Sequence, residues 1–236
     1  MRFGQNLIEG VLVRRYQRFL ADVELPDGSL VTAHTPNTGS MRGCAVPGSR
    51  VWLRDSGNPK RKYPLSWELV EAEPGVLVGI NTGLSNRLVE EAIIQGRIGA
   101  LRGYDRIRRE VRYGRENSRI DLLLSGDGPD CYVEVKNVTL VEQGVALFPD
   151  AVTTRGTRHL RELAAMVEEG HRAVIFYCVQ RRDAKQVQPA DSIDPAYGWA
   201  LREAVAAGVE ALAFRAGVST EGIELNRPLP VVLGEL

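Results

Sequence analysis

Two short apolar segments, Ile120-Asp121-Leu122-Leu123-Leu124 and Cys131-Tyr132-Val133-Glu134-Val135-Lys136, flank the turn-rich stretch Ser125-Gly126-Asp127-Gly128-Pro129-Asp130. Few arrangements satisfy such a pattern, because an Asp-Gly turn between strand-like runs predicts an antiparallel hairpin. If Asp121 faces Glu134, the fold of the hairpin falls between Asp127 and Gly128, where the turn residues are. Side chains alternate faces along a strand, so Glu134 and Lys136 share a face and a directly opposed Asp121 joins them. Two carboxylates and an ammonium then converge in otherwise apolar strands.

Such a convergence has a chemical use. Hard divalent cations such as Mg2+ or Mn2+ take oxygen ligands and keep waters, and two carboxylates with a backbone carbonyl supply an open half-shell. In phosphodiester hydrolysis the ion activates water and neutralises developing charge, while a nearby ammonium such as that of Lys136 orients water or phosphate. The spacing alone is a weak signal and fits a salt bridge on a solvent-facing strand better. Gln180, at the end of a later apolar strand, is a further candidate for the same cleft, a solvated strand end being the alternative.

The chain has 236 residues, 44% of them hydrophobic and 25% charged, which is the composition of a globular protein of one large or two ordinary domains. No apolar run approaches the roughly 20 residues that cross a bilayer, and no signal-peptide core is present, so a cytoplasmic protein without membrane association is expected. Cys44, Cys131 and Cys178 show no C-x-x-C spacing and imply neither a disulfide framework nor a zinc site. Formal net charge is zero, but the charges are unevenly placed. Eight arginines lie between Arg97 and Arg119, and Lys60, Arg61 and Lys62 form a second basic cluster; both suit phosphate, or are ordinary solvated faces.

Residues 1–80 read as short strands, at 10–13, 19–25, 30–34, 50–53 and 67–70, separated by turn signals such as Pro26-Asp27-Gly28. Five strands in that length predict an OB-like β-barrel. Residues 81–236 change period: a helix carrying Leu84, Leu88, Ala92 and Ile93 and ended by Gly96, a strand at 107–113, the hairpin, a helix at 157–169, an apolar strand at 173–179, a helix at 195–207 and a strand at 210–214. A strand apolar on both faces after a helix predicts a mixed α/β sheet covered on both sides. Pro228-Leu229-Pro230 reads as an extended tail. The loop Pro36-Asn37-Thr38-Gly39-Ser40 either grips a phosphate or is a hydrogen-bonded turn. No P-loop, G-x-G-x-x-G or Ser-His-Asp arrangement is present.

The order helix, strand, hairpin, helix, strand, with Glu90 and Glu91 on the first helix, resembles the PD-(D/E)xK nuclease superfamily. That resemblance implies metal ligands at Asp121, Glu134 and Glu91, with Lys136 as the catalytic lysine; Ile120 stands where the superfamily motif has proline. Whole stretches resemble the sugar fermentation stimulation protein A family: Arg14-Arg15-Tyr16-Gln17-Arg18-Phe19-Leu20-Ala21-Asp22-Val23, His34-Thr35-Pro36-Asn37-Thr38-Gly39-Ser40-Met41, Asn58-Pro59-Lys60-Arg61-Lys62-Tyr63, Ser118-Arg119-Ile120-Asp121, Tyr132-Val133-Glu134-Val135-Lys136-Asn137-Val138-Thr139 and Phe148-Pro149-Asp150-Ala151-Val152. The resemblance extends to Arg155-Gly156 and the helix with His159. It implies an OB-like domain, a nuclease-like domain and DNA binding. Candidate nucleic-acid contacts are Arg14, Arg15, Arg18, Asn37, Thr38, Ser40, Lys60, Arg61, Lys62, Arg119, Arg155 and His159. The expected function is DNA binding with metal-dependent phosphodiesterase activity. The alternative is a noncatalytic DNA-binding regulator on a nuclease fold, and RNA or a nucleotide stays open as a barrel ligand.

Overall fold

A computed structural model describes residues 1–116 and 118–234. The first unit is a barrel of β1 (Ile8–Tyr16), β2 (Leu20–Glu24), β3 (Leu30–His34), β4 (Arg50–Asp55) and β5 (Leu65–Glu73). Its strands run in the order β3-β2-β1-β4-β5, and a parallel pairing of His34 with Ser66 closes the cylinder. Alternation fills the inside with Leu12, Ala21, Val23, Ala33, Val51, Leu53, Trp67 and Val70, all buried. The expected barrel is therefore present, with β1 longer than predicted. A register shift between Leu12 and Arg14 carries that strand on to Tyr16. A sixth strand, β6 (Val76–Gly79), pairs with β5 after a tight turn at Gly75.

The second unit contains α1 (Ser85–Ile94), β7 (Arg106–Tyr113), β8 (Ser118–Ser125), β9 (Cys131–Val138), β10 (Val141–Glu142), β11 (Val145–Phe148), α2 (Thr154–Glu168), β12 (Arg172–Val179), β13 (Gln186–Pro189), α3 (Pro195–Ala206), β14 (Glu210–Val218) and β15 (Ile223–Leu229). The main sheet runs β15-β14-β12-β9-β8-β7, with β12 parallel to both β9 and β14 and the other pairs antiparallel. It is the mixed sheet expected, covered on both faces. Val174, Phe176 and Cys178 of β12 face the α1 side, and Ala173, Ile175, Tyr177 and Val179 face α2 and α3. Every one of these is buried because the strand lies between two cores.

Three details differ from expectation. α2 starts at Thr154, ahead of the predicted Thr157, because the Thr153 side chain accepts a hydrogen bond from the Gly156 amide and caps it. The expected tail holding Pro228 and Leu229 is the end of edge strand β15, where Pro228 stands opposite Phe214; edge strands are where sheets tolerate proline. The short strands β10, β11 and β13 form a separate three-stranded sheet that the sequence pattern does not announce. Among the described residues no helix is long and apolar enough to cross a membrane.

Candidate metal and phosphate site

The hairpin has the predicted register: Leu122 pairs with Val133, Leu123 with Tyr132 and Leu124 with Cys131. The next step of that ladder would pair Asp121 with Glu134, but the pairing stops there. One oxygen of Asp121 accepts the Val135 N–H at 2.7 Å, and the other accepts the Asn86 side-chain amide of α1 at 2.8 Å. On the other side of β8 the pairing also breaks. β7 pairs Arg109 with Leu122 and Val111 with Ile120, while the intervening Glu110 has φ of 54° and no partner in the ladder. Ile107, Leu122 and Leu124 pack on the α1 side, whereas Val111, Tyr113 and Ile120, of the same alternation phase, pack on the α2 side. The hairpin thus turns over at Asp121. Strand pairing is interrupted around Asp121, whose carboxylate is held instead by the Val135 amide of β9 and by Asn86 of α1.

Glu134 and Lys136 lie on the α2 side of β9 and are both buried. Lys136 Nζ donates to Glu134 Oε1 at 2.8 Å. His159, projecting from α2, contacts the same oxygen through Nδ1, and its Nε2 accepts from Arg155 Nε at 3.3 Å. The Lys136 ammonium also lies 3.3 Å from His159 Nδ1, so glutamate, lysine and histidine form one buried cluster. Glu134 Oε2 is buried and has no protein partner. Burial raises the Glu134 carboxyl, but the hydrogen bond from His159 and the charge of Lys136 overcome it and hold the group below its ordinary range. Asp121 goes the other way. Burial, with the nearby negative charge of Glu134, pushes it up to about 6. One carboxylate is therefore kept charged and the other is costly to ionise.

Two groups absent from the sequence expectation belong to this neighbourhood. Asn86 is one, since a polar residue in the first turn of a helix reads as an ordinary end of that helix. Tyr113 is the other: its buried hydroxyl has no protein partner, and the charges of Glu134, Glu162 and Asp121 reinforce the rise that burial gives its pKa. The β7–β8 turn that carries it is clamped by Glu162 of α2, whose oxygens accept the amides of Arg115 at 2.9 Å and Glu116 at 2.7 Å. Gly114 has φ of 70°, and a Cβ there would lie 1.4 Å from Glu162 Oε2, so only glycine fits.

Glu91 and Gln180 stand elsewhere. Five residues beyond Asn86, Glu91 is about 140° around the helix and points away from Asp121. It meets the Met1 ammonium at 3.1 Å. No three His, Cys, Asp or Glu side chains cluster as metal ligands among the described residues. Gln180 is fully buried and donates to Asn137 at 2.6 Å and Ser85 at 3.2 Å, tying the end of β9 to the start of α1.

The barrel candidates divide by role. Asn37 accepts the Gly39 amide at 2.8 Å, and Arg15 and Arg18 donate to the carbonyls of Asn37, Gly39 and Thr38. Ser40 Oγ and the Met41 amide both donate to Asp150, ahead of α2, at 2.7 and 3.1 Å. The loop is a hydrogen-bonded turn whose anion-gripping groups hold a carboxylate of the second unit. Arg14 is exposed, paired with Asp22 at 2.8 Å and stacked over Tyr16. Lys60 and Lys62 are exposed, Lys62 lying over Tyr63, and Arg61 donates to Ser66. Arg119 is exposed opposite Arg112, and Arg155 is exposed beside His159.

Comparison with known proteins agrees with this architecture. Residues 13–80 match the SfsA N-terminal OB domain, and residues 83–222 match the sugar fermentation stimulation protein RE domain. A sugar fermentation stimulation protein homolog of Geobacter metallireducens is 64% identical over 99% of this chain and 100% of its own length. One from Pelobacter propionicus is 65% identical over 96% and 98%. The structure of Pyrococcus furiosus SfsA in complex with Ca2+ superposes with a TM-score of 0.89 at 28% identity, covering 98% of each chain. On the domain matches and these relatives, the chain belongs to the sugar fermentation stimulation protein family.

Proposed function

We propose that the protein binds DNA and hydrolyses phosphodiesters at Asp121, Glu134 and Lys136 with a divalent cation, Mg2+ or Mn2+. The observation that carries this reading is the buried, unpartnered Glu134 Oε2 near the Asp121 carboxylate. A buried anionic oxygen without a donor is costly. A hard cation is the ligand that such an oxygen suits, and Asp121 and Glu134 would hold it with water filling the remaining positions. When bound, the cation lowers the pKa of water and neutralises charge on the phosphate.

The chain's own groups have separate tasks. His159 and Lys136 fix one oxygen of Glu134, which leaves the other directed to the ligand. Lys136 sits where its ammonium can also balance charge on a phosphoryl oxygen. Asn86 holds Asp121 to α1 and sets its orientation. A Ca2+ complex of the Pyrococcus furiosus relative supports an oxygen-ligated ion in this fold.

The test is cleavage of single-stranded, double-stranded and branched DNA with Mg2+ or Mn2+, with Glu134→Ala as control. Metal-dependent cleavage confined to the unsubstituted protein is expected. Activity indistinguishable from that of Glu134→Ala would remove the enzyme reading and leave the noncatalytic DNA-binding regulator. That second reading is favoured by the two-acid donor set, which lacks a third carboxylate among the described residues.

A further inference from the structure

The molecule presents two exposed basic surfaces, and they differ in chemistry. The barrel surface mixes cations with aromatic rings: Arg14 over Tyr16, Lys62 over Tyr63, and Phe19, which is 42% exposed beside Arg18. Rings interleaved with cations stack on unpaired bases, which a duplex does not offer. The β7–β8 hairpin instead presents arginines without exposed aromatic rings, with Glu110 and Glu116 as its exposed acids. Arg112 and Arg119 are directly opposed and exposed, with Arg108 and Arg115 on the same hairpin and Tyr113 turned into the core. Like charges placed opposite each other destabilise a sheet unless an anion lies between them. Such a pair suits backbone phosphates, whose density is greatest on a duplex.

Helix α2 sets the order of these surfaces. Just before its start, Asp150 is gripped by the barrel loop; on it, His159 reaches Glu134 and Glu162 clamps the hairpin turn. From Thr154 to Glu162 is about 12 Å along the axis. The sequence along the molecule is aromatic and basic barrel, acid pair, arginine hairpin.

We infer that the ligand is a junction between single-stranded and double-stranded nucleic acid, its single strand on the barrel around Phe19, its duplex on Arg112 and Arg119, and the junction between the two surfaces. The inference rests on the nucleic-acid half of the function proposed above and does not require cleavage.

Binding of labelled DNA oligonucleotides in EDTA, at fixed salt, tests it: a single strand, a blunt duplex, and that duplex carrying a single-stranded overhang. Because two linked contacts reinforce each other, the overhang ligand should bind at least about tenfold more tightly than either arm alone. Phe19→Ala should weaken the single strand and the overhang ligand and spare the blunt duplex. The double variant Arg112→Ala/Arg119→Ala should do the reverse, weakening the duplex and the overhang ligand only. All three residues are exposed, and unchanged melting curves would confirm that the variants fold. An overhang ligand bound no more tightly than its better arm, or variants that weaken all three ligands equally, would overturn the inference and leave DNA binding intact. Absence of binding to all three would overturn both. A junction preference without cleavage in Mg2+ would uphold the inference while removing catalysis.

Discussion

The buried carboxylates of the barrel differ from those at the β8–β9 hairpin, whereas Glu162 and Asp194 elsewhere in the α/β unit are satisfied as the barrel acids are. In the barrel, Asp22 accepts from Arg14, Tyr16 and Thr32, and Glu68 accepts from Arg54 and Asn81, each at 2.8–3.0 Å. Every oxygen of these two groups has a donor. In the α/β unit, Glu134 keeps one oxygen without a donor and Asp121 is pushed toward its protonated form. A satisfied buried acid holds strands together, whereas an unsatisfied one stores free energy that a ligand can release.

The strongest challenge to this contrast is Glu68→Ala. It strands Arg54 and the buried Asn81 side chain, and urea melts should show a loss of about 3–4 kcal/mol. A loss below about 1 kcal/mol would mean that the barrel acids are as dispensable as surface ones. Asp121→Asn should act in the opposite direction. The folded-state pKa is about 6, above the ordinary carboxylate value, so the folded protein binds more protons than the unfolded chain between those values and loses stability as pH rises through that window. Above pH 6 the substitution should therefore stabilise the metal-free protein by up to about 2–3 kcal/mol, with the gain gone below about pH 4. Melting temperatures across that range would measure it.

A smaller effect concerns the cation. At ten times its dissociation constant it should stabilise the protein by about 1.4 kcal/mol, and the same addition should leave the melting temperature of Glu134→Ala unchanged. A shift that survives in the variant would place the ion elsewhere. The smallest effect is expected at Asp22. Burial raises its carboxyl, but the bonds from Arg14, Thr32 and Tyr16 outweigh this and lower it, so its contribution is present above the unfolded value and is lost as pH falls through the folded one. Asp22→Asn should cost about 1 kcal/mol at neutral pH, measured by the same melts, and nothing in acid.

The strand pairing around the acids was readable because a turn between Asp127 and Gly128 leaves one register in which both strands bury their leucines and valines. The barrel was readable from turns spaced along short strands, and β12 from an apolar run too continuous for a one-sided sheet. What escaped depends on rotation and distance. Whether Asn86 or Glu91 reaches Asp121 is decided by the phase of α1 against the sheet, and two glutamates in the sequence say nothing about that phase. His159 was legible as a basic residue near phosphate, but its bond to Glu134 requires α2 to lie across β9. The loop at Asn37 was legible as a turn, whereas the carboxylate it holds comes from 110 residues downstream of Ser40. Short strands such as β13 owe their existence to a partner, here β11, more than to their own residues.

The parallel pairing of β9 with β12 also has a consequence for synthesis. Cys131 pairs with Arg172, so the edge of the acid-bearing strand stays open until about 40 further residues have been added. At ordinary translation rates that lasts roughly 2–8 s, during which an apolar strand beside a finished hairpin could recruit another nascent chain. Glu134 and Lys136 interrupt that strand with charge, which discourages such pairing. The same two side chains proposed to serve phosphate chemistry in the mature protein thus also guard its unfinished form.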